Sequence, residues 1–318
     1  MTNVFKPEGS RIDTPENKEY LASLTGLERA MNSGAIVEGI VTLCDSNLRL
    51  HVDLGAAEGI IDPQEAIFCR AGEERKDIAI ISRVGKPTAF VVRSIESKDK
   101  RVIAHLSRRL AQKEVVEHSL STLHPGDLLD ATVTHLEPFG AFLDIGCGVS
   151  TLLSVDCISV SRISHPRDRL KCGMTLTVAV KSMDRETGRL YVTLRELLGT
   201  WEENAARFEV GQTVTGIIRS VESYGVFIEL SPNLAGLAEI REDQTEEIRS
   251  RIGHACAVYI KSIVPERMKI KLILINSYCA KPPCHRLNYY VDPATTKHLS
   301  HWIYSPIGAH RLMETVFE

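Results

Sequence analysis

Along most of the chain, apolar and polar residues alternate with a period of two in short stretches closed by Gly, Pro or Asp. "LLDATVTHLEPFGAFLDIG" (128–146), "TLTVAVKSMD" (175–184) and "LYVTLR" (190–195) are examples. This is the pattern of short, half-buried strands. It gives way to helical spacing at 15–34, 106–126 and 200–211. The first two stretches stop at Ser-Gly and Pro-Gly, as helix ends do. The third opens with Thr200 three residues before Glu203, a capping-box pattern, and brings Trp201, Ala205 and Phe208 near one face. No apolar run approaches the roughly 18–20 residues of a membrane span.

The strand pattern repeats. Gly126 lies 13 residues before Phe139 and Gly211 lies 13 before Tyr224, so "FGAFLDIG" (139–146) and "YGVFIELS" (224–231) sit at the same place in two copies. A diverged copy opens at Gly34, with Leu48 and His51 at the two aromatic positions. Downstream, "GKPTAFVVRSIE", "GMTLTVAVKSMD" and "GHACAVYIKSIV" begin at Gly85, Gly173 and Gly253, each with a cation eight residues on: Arg93, Lys181 and Lys261. Each unit, about 65–75 residues, reads as five strands, within the usual range for a small domain. No unit holds a helix long enough for a parallel crossover. Strands this short cover their edges best by closing into a five-stranded Greek-key barrel. The expected fold class is therefore all-β: three tandem five-stranded OB-fold barrels, joined like beads by short helical linkers. The expected divisions are an N-terminal arm and helix (1–32), a first, diverged repeat (33–107), a helical linker (108–124), a second repeat (125–196), a second linker (197–209), a third repeat (210–275) and an irregular C-terminal extension (276–318).

Composition narrows the function classes. The 318 residues carry a net charge of −3, which excludes a uniformly basic protein but leaves room for local basic faces. The eight Cys are scattered without a framework spacing, and the first residues show no secretory signal, so the cytoplasm is the expected compartment. No Walker loop, dinucleotide fingerprint, nucleophile elbow or HExxH motif is present, and the acidic residues do not converge. The expectation is a non-enzyme with no cofactor and no small-molecule substrate.

Gly126, "FGAFLDIG", "HPRDRLKCGM" (165–174), "SMDRETGRLYVTL" (182–194), "YGVFIEL" (224–230) and "NLAGLAEI" (233–240) resemble the RNA-binding repeat of the ribosomal S-one family. The likeness runs over about residues 16–275 and is loosest in the first repeat. It implies single-stranded RNA, mRNA in particular, and the small ribosomal subunit as partners, and a role in translation. A free RNA-binding regulator or chaperone and a protein-binding adaptor are the alternatives.

The residue types agree with stacking on bases. Phe139 with Phe142, and Tyr224 with Phe227, would share a face if Gly140 or Gly225 bends its strand. Displayed rings stack bases without regard to sequence. Lys181, Arg195, Lys261 and Lys271 lie where they could meet phosphates. The segment "SRISHPRDRLK" (161–171) adds Arg162, His165, Arg167, Arg169 and Lys171 on an expected long loop. Family repeats commonly carry a His after the third strand, a position filled here by Asp62, Ser154 and Glu239. The second repeat is thus expected to bind best, the third less well and the first poorly. In the tail, Cys279, Cys284, His298 and His301 are weak zinc candidates at a spacing unlike the usual fingers. Packing of the tail on the third barrel through Tyr289, Tyr290, Trp302 and Tyr304 is the favoured reading.

Overall fold

The computed structural model describes residues 5–70, 72–98, 101–240, 245–277 and 287–318. Two helices, α1 (Pro15–Leu21) and α2 (Leu24–Ser33), precede the first barrel of β1 (Val37–Cys44), β2 (Leu50–Asp53), β3 (Glu58–Ile61), β4 (Pro87–Lys98) and β5 (Arg101–Ser107); a short α3 (Asp77–Ile81) lies between β3 and β4. Helix α4 (Arg108–Thr122) leads to the second barrel: β6 (Leu128–Glu137), β7 (Gly140–Asp144), β8 (Ser150–Ser154), β9 (Thr175–Asp184) and β10 (Arg189–Thr193). Helix α5 (Trp201–Ala205) leads to the third: β11 (Thr213–Glu222), β12 (Gly225–Ser231), β13 (Leu234–Ala238), β14 (Ala255–Val264) and β15 (Lys269–Ser277), with α6 (Thr245–Arg249) before β14. The tail ends in a hairpin of β16 (His301–Ile303) and β17 (Glu314–Val316).

All three barrels are closed, with identical strand order. In each, the third and fifth strands pair in parallel and every other pairing is antiparallel. Alternation supplies the cores. Val133, Ala141, Leu143, Leu153, Val178, Val180 and Val192 point into the second barrel, and Ile218, Val226, Ile228, Val258, Ile260 and Leu272 into the third. Each large apolar side chain buried this way contributes about 1.5–3 kcal/mol.

Local signals explain the helix bounds. The stretch 15–34 forms two helices rather than one, because Ser23 turns to an extended conformation and its hydroxyl accepts the Gly26 N–H. Helix α4 starts at Arg108, since Leu106 and Ser107 still pair with β4, and Ser107 then caps it. At α5 the capping box forms as expected, with Thr200 and Glu203 each accepting the other's backbone N–H. No helix among the described residues is long and apolar enough to cross a membrane.

The barrels are not independent beads. Phe5 is buried in the second barrel's core, with its ring edge-on to His118 of α4. The buried Glu8 carboxylate pairs with Arg108 at 2.7 Å and Arg83 at 2.8 Å, while its backbone N–H donates to Asp144. Gly9 and Arg11 donate backbone N–H bonds to Glu38 on β1. The arm therefore joins the first barrel to the second. Between the second and third, Arg169 grips Glu229 of β12 with two bonds of 2.7 and 2.6 Å. The tail spans the same pair. The Tyr289 hydroxyl accepts the Thr177 N–H of β9, and Phe317 packs on Ala179, whereas Trp302 and Tyr304 enter the third core. Packing of the tail thus extends beyond the third barrel.

Candidate nucleic-acid interface

Phe139 occupies a two-residue turn, Pro138-Phe139, between the paired residues Glu137 and Gly140. The strand does not bulge at Gly140; the irregularity lies opposite, in β6 between Val133 and His135. Gly140 is required for a different reason: a Cβ there would lie 2.6 Å from the Leu153 carbonyl of β8. The ring reaches the barrel face from the turn, and Phe142 meets it from β7. Their centroids are 6.0 Å apart at 89°. In the third barrel Ser223-Tyr224 is the equivalent turn, and the Tyr224 and Phe227 rings lie 6.1 Å apart at the same 89°. Phe139 is 55% and Tyr224 63% exposed, so these outer rings are displayed rather than packed as core.

Register gives the rest of the face. Residues paired across strands project to one side, which aligns His135, Phe142, Leu152 and Tyr191 across β6, β7, β8 and β10. The His135 ring stacks at 6.4 Å and 29° on Phe142. Tyr191 and His135 were missed by sequence reasoning centred on "FGAF", although the alternation in "RLYVT", with Leu190 and Val192 buried, already turns Tyr191 outward. A one-turn helix at Val155–Cys157 ties cations to this end of the barrel. Val155 N–H donates to the Phe139 carbonyl, Lys181 Nζ lies 3.3 Å from Cys157 Sγ, and Arg195 reaches the Asp156 carbonyl at 3.4 Å. Lys181 is exposed; Arg195 is half-buried and shared with Glu196 at 3.0 Å.

The basic segment lies at the junction of the second and third barrels. Its anchors lie on the third barrel: Val160 N–H donates to Asn233, and Ser161 N–H to the Pro232 carbonyl. Arg169 is 3% exposed and held by Glu229, which also takes Arg219 at 2.6 Å, so its guanidinium ties the two barrels together. Burial works to raise the Glu229 pKa, but the two guanidiniums outweigh it and hold the carboxylate below its ordinary range. His165 accepts the Arg167 N–H through Nδ1 and caps a one-turn helix. Arg162, Arg167 and Lys171 are exposed beside this junction.

In the third barrel the equivalent row is Ser220, Phe227, Leu237 and Lys271. Lys271 takes the place in this row that Tyr191 has in the second barrel. Lys261 is exposed at the Lys181 position, and Glu239 is exposed nearby. The first barrel's row is Leu43, His51, Ile60 and His105. There His51 lies 2.9 Å from Glu58 and 3.6 Å from Asp45, and Arg93 is bound to Glu65 at 3.0 Å.

Among the described residues no cluster of three His, Cys, Asp or Glu side chains could hold a metal ion. His298 bonds to Asp127 and His301 to Glu314, while Cys279 and Cys284 lie outside the described residues. A cleft of about 610 Å³ between α5, the third barrel and the tail holds neither ring pair.

A closed five-stranded barrel that displays a paired-ring face, repeated along the chain, defines a tandem OB-fold protein. Residues 122–195, which contain the second barrel, match the S1 RNA binding domain family. The second barrel is similar to the domain of that family. It is 31% identical over 163 residues to small ribosomal subunit protein bS1 of Staphylococcus aureus (strain COL), covering 50% of this chain and 41% of that protein. To the bS1 homolog of Bacillus cereus (strain ATCC 10987 / NRS 248) it is 29% identical over 234 residues, 70% of this chain and 57% of that one. The chain thus spans about half the length of the curated relatives it matches. Among solved structures it is similar to a multidomain protein with nucleic acid binding domains from Streptococcus pneumoniae, at 14% identity and a TM-score of 0.23, over 76% of this chain and 73% of that one.

Proposed function

We propose that the chain holds single-stranded RNA, mRNA in particular, on the outer face of the second barrel, with the third barrel as a weaker second face. The observation that carries this reading is the pair of displayed ring pairs at 6.0 and 6.1 Å, both at 89°, in two barrels of different sequence. An exposed Phe contributes little to the core, whereas each stacked base is worth about 1–3 kcal/mol. Phe139, Phe142 and Tyr191 stack bases; Lys181 and Arg195 meet phosphates; Tyr224, Phe227, Lys261 and Lys271 do the same work on the third barrel. Arg162, His165, Arg167 and Lys171 add positive field at the junction of the two. The protein acts in the cytoplasm by binding and carries out no catalytic step. Its setting in translation, on the small ribosomal subunit, follows the names of its bS1 relatives.

Fluorescence anisotropy on an unstructured RNA and on a duplex of equal length tests the binding reading. The single strand binds more tightly, with a salt slope of about 0.7 for each phosphate met; preference for the duplex overturns it. Co-sedimentation with small subunits separates a ribosome-bound protein from a free RNA-binding regulator, and a chain that binds no RNA would be a protein adaptor.

A further inference from the structure

Beside Phe142, Leu152 and Tyr191 the second barrel's outer face continues through Ser150 and Arg189, and it is walled there by the first barrel. Arg70 Nε donates to the Gly188 carbonyl at 3.2 Å, and Glu73 Oε1 takes Arg189 at 3.0 Å. Together they enclose a cleft of about 290 Å³. That is at the lower edge of the about 300–1,000 Å³ of small-molecule sites, a size suited to a single ring system. Phe142 and Tyr191 give it an aromatic flank, and Arg70, Glu73 and Arg189 give it a polar wall. Nothing in a sequence-tolerant stacking platform calls for that wall.

We propose that Glu73 and Arg189, from two different barrels, make this cleft a one-base pocket that prefers guanine in the bound strand. The inference rests on the single-stranded RNA reading above and deepens it. A carboxylate has about four lone-pair sites, and Glu73 uses two of them, on Arg189 and on the Arg70 backbone N–H at 3.2 Å. Glu73 is one-third exposed on the cleft, so its remaining acceptor sites are open to the donors of a ligand. Guanine alone among the four bases offers two adjacent N–H donors on its Watson–Crick edge; adenine, cytosine and uracil set an acceptor beside their one donor, against a negative charge. The O6 and N7 acceptors of guanine are suited to an arginine. The first barrel, whose own face is tied up by Asp45, Glu58 and Glu65, thus acts on RNA through the wall it lends to its neighbour.

The test uses the full chain and four uridine decamers that differ only at one central position: uridine, guanosine, inosine or adenosine. Guanosine is expected to bind on the order of tenfold more tightly than uridine or adenosine, as a bidentate base contact does. Inosine lacks the N2 amine and loses most of that gain. In Glu73→Gln, with an unchanged melting curve, the guanosine-to-uridine ratio falls to within about twofold of one, whereas Phe139→Ala weakens both strands and keeps the ratio. Equal binding of all four strands, or of inosine and guanosine, overturns the pocket and leaves the single-strand reading standing. Failure to bind any decamer overturns both.

Discussion

The outer faces of the first and second barrels are the same surface in backbone terms, with strands in the same order and the same register. Position for position, His51 replaces Phe142 and His105 replaces Tyr191, and Arg93 replaces Lys181. The difference lies in what each charge is doing. In the first barrel His51 and Arg93 are met by Asp45, Glu58 and Glu65 from the same barrel. In the second, Lys181 rests on a thiol, and the outer ring, Phe139, stands in solvent. An OB barrel therefore sets where a ligand can lie; carboxylates on the neighbouring strands decide whether its cations are left for phosphate.

The sharpest way to break that contrast is at Arg169, a cation of the second barrel that is buried against a carboxylate. Replacing Arg169 with Ala should lower stability by about 3 kcal/mol, the low end for breaking a buried ion pair, since Arg219 still holds Glu229. RNA affinity measured on the folded variant should stay near that of the parent. A variant that keeps its melting temperature but loses RNA would make Arg169 a phosphate ligand after all.

The ring faces come next. The Phe139→Ala/Phe142→Ala variant should lose on the order of 2–6 kcal/mol of RNA affinity, two stacked bases' worth, with little change in melting because Phe139 is half exposed. Tyr224→Ala/Phe227→Ala should lose less, as Lys271 stands there in place of a third ring and Glu239 repels phosphate. His51→Ala should leave anisotropy titrations within about 0.5 kcal/mol of the parent, in the range of surface substitutions. A large loss at His51 would remove the distinction between the two barrels.

An effect of pH sharpens how the two are joined. Burial raises Glu38 from 4.5 to about 7 against the opposing Arg11 and Gly9 N–H bonds, and burial likewise raises Asp144 to about 6. The folded state thus holds the Glu38 proton more tightly than the unfolded chain does. Its contribution is fully present below pH 4.5 and is lost as pH rises through 7. At about 1.4 kcal/mol per pH unit the limit is on the order of 3 kcal/mol, reduced where water reaches the carboxyl. Denaturant melts of the parent at pH 5 and pH 7.5 should show stability falling, and Glu38→Gln should flatten that dependence; a parent whose stability rises over the interval contradicts it.

How far the sequence could be read follows from the range of each interaction. The strands, the three-fold repeat and the ring pairs were legible because alternation and the Gly-to-ring spacing are local. Tyr191 was legible in the same way but was outweighed by the repeated motif beside it. The direction of Arg169 was not legible, since charge on a loop says nothing of a carboxylate 60 residues further on. The arm escaped for the same reason: the partners of Glu8, Arg108 and Asp144, come 100 and 136 residues later. The bend ascribed to Gly140 failed differently. A missing side chain can permit either a distorted strand or a close neighbour, and only the β8 carbonyl shows which.

The ties made by the arm, by Arg169 and by the tail have a consequence for avidity. Flexibly tethered modules meet a long ligand at an effective concentration set by linker length. Here the second and third ring faces are braced by Tyr289, Phe317 and Trp302, which leaves the tether little slack. A strand too short to reach from one face to the other gains nothing from the second, and one that just reaches gains almost all of it. Affinity should then climb with RNA length as a step rather than a slope.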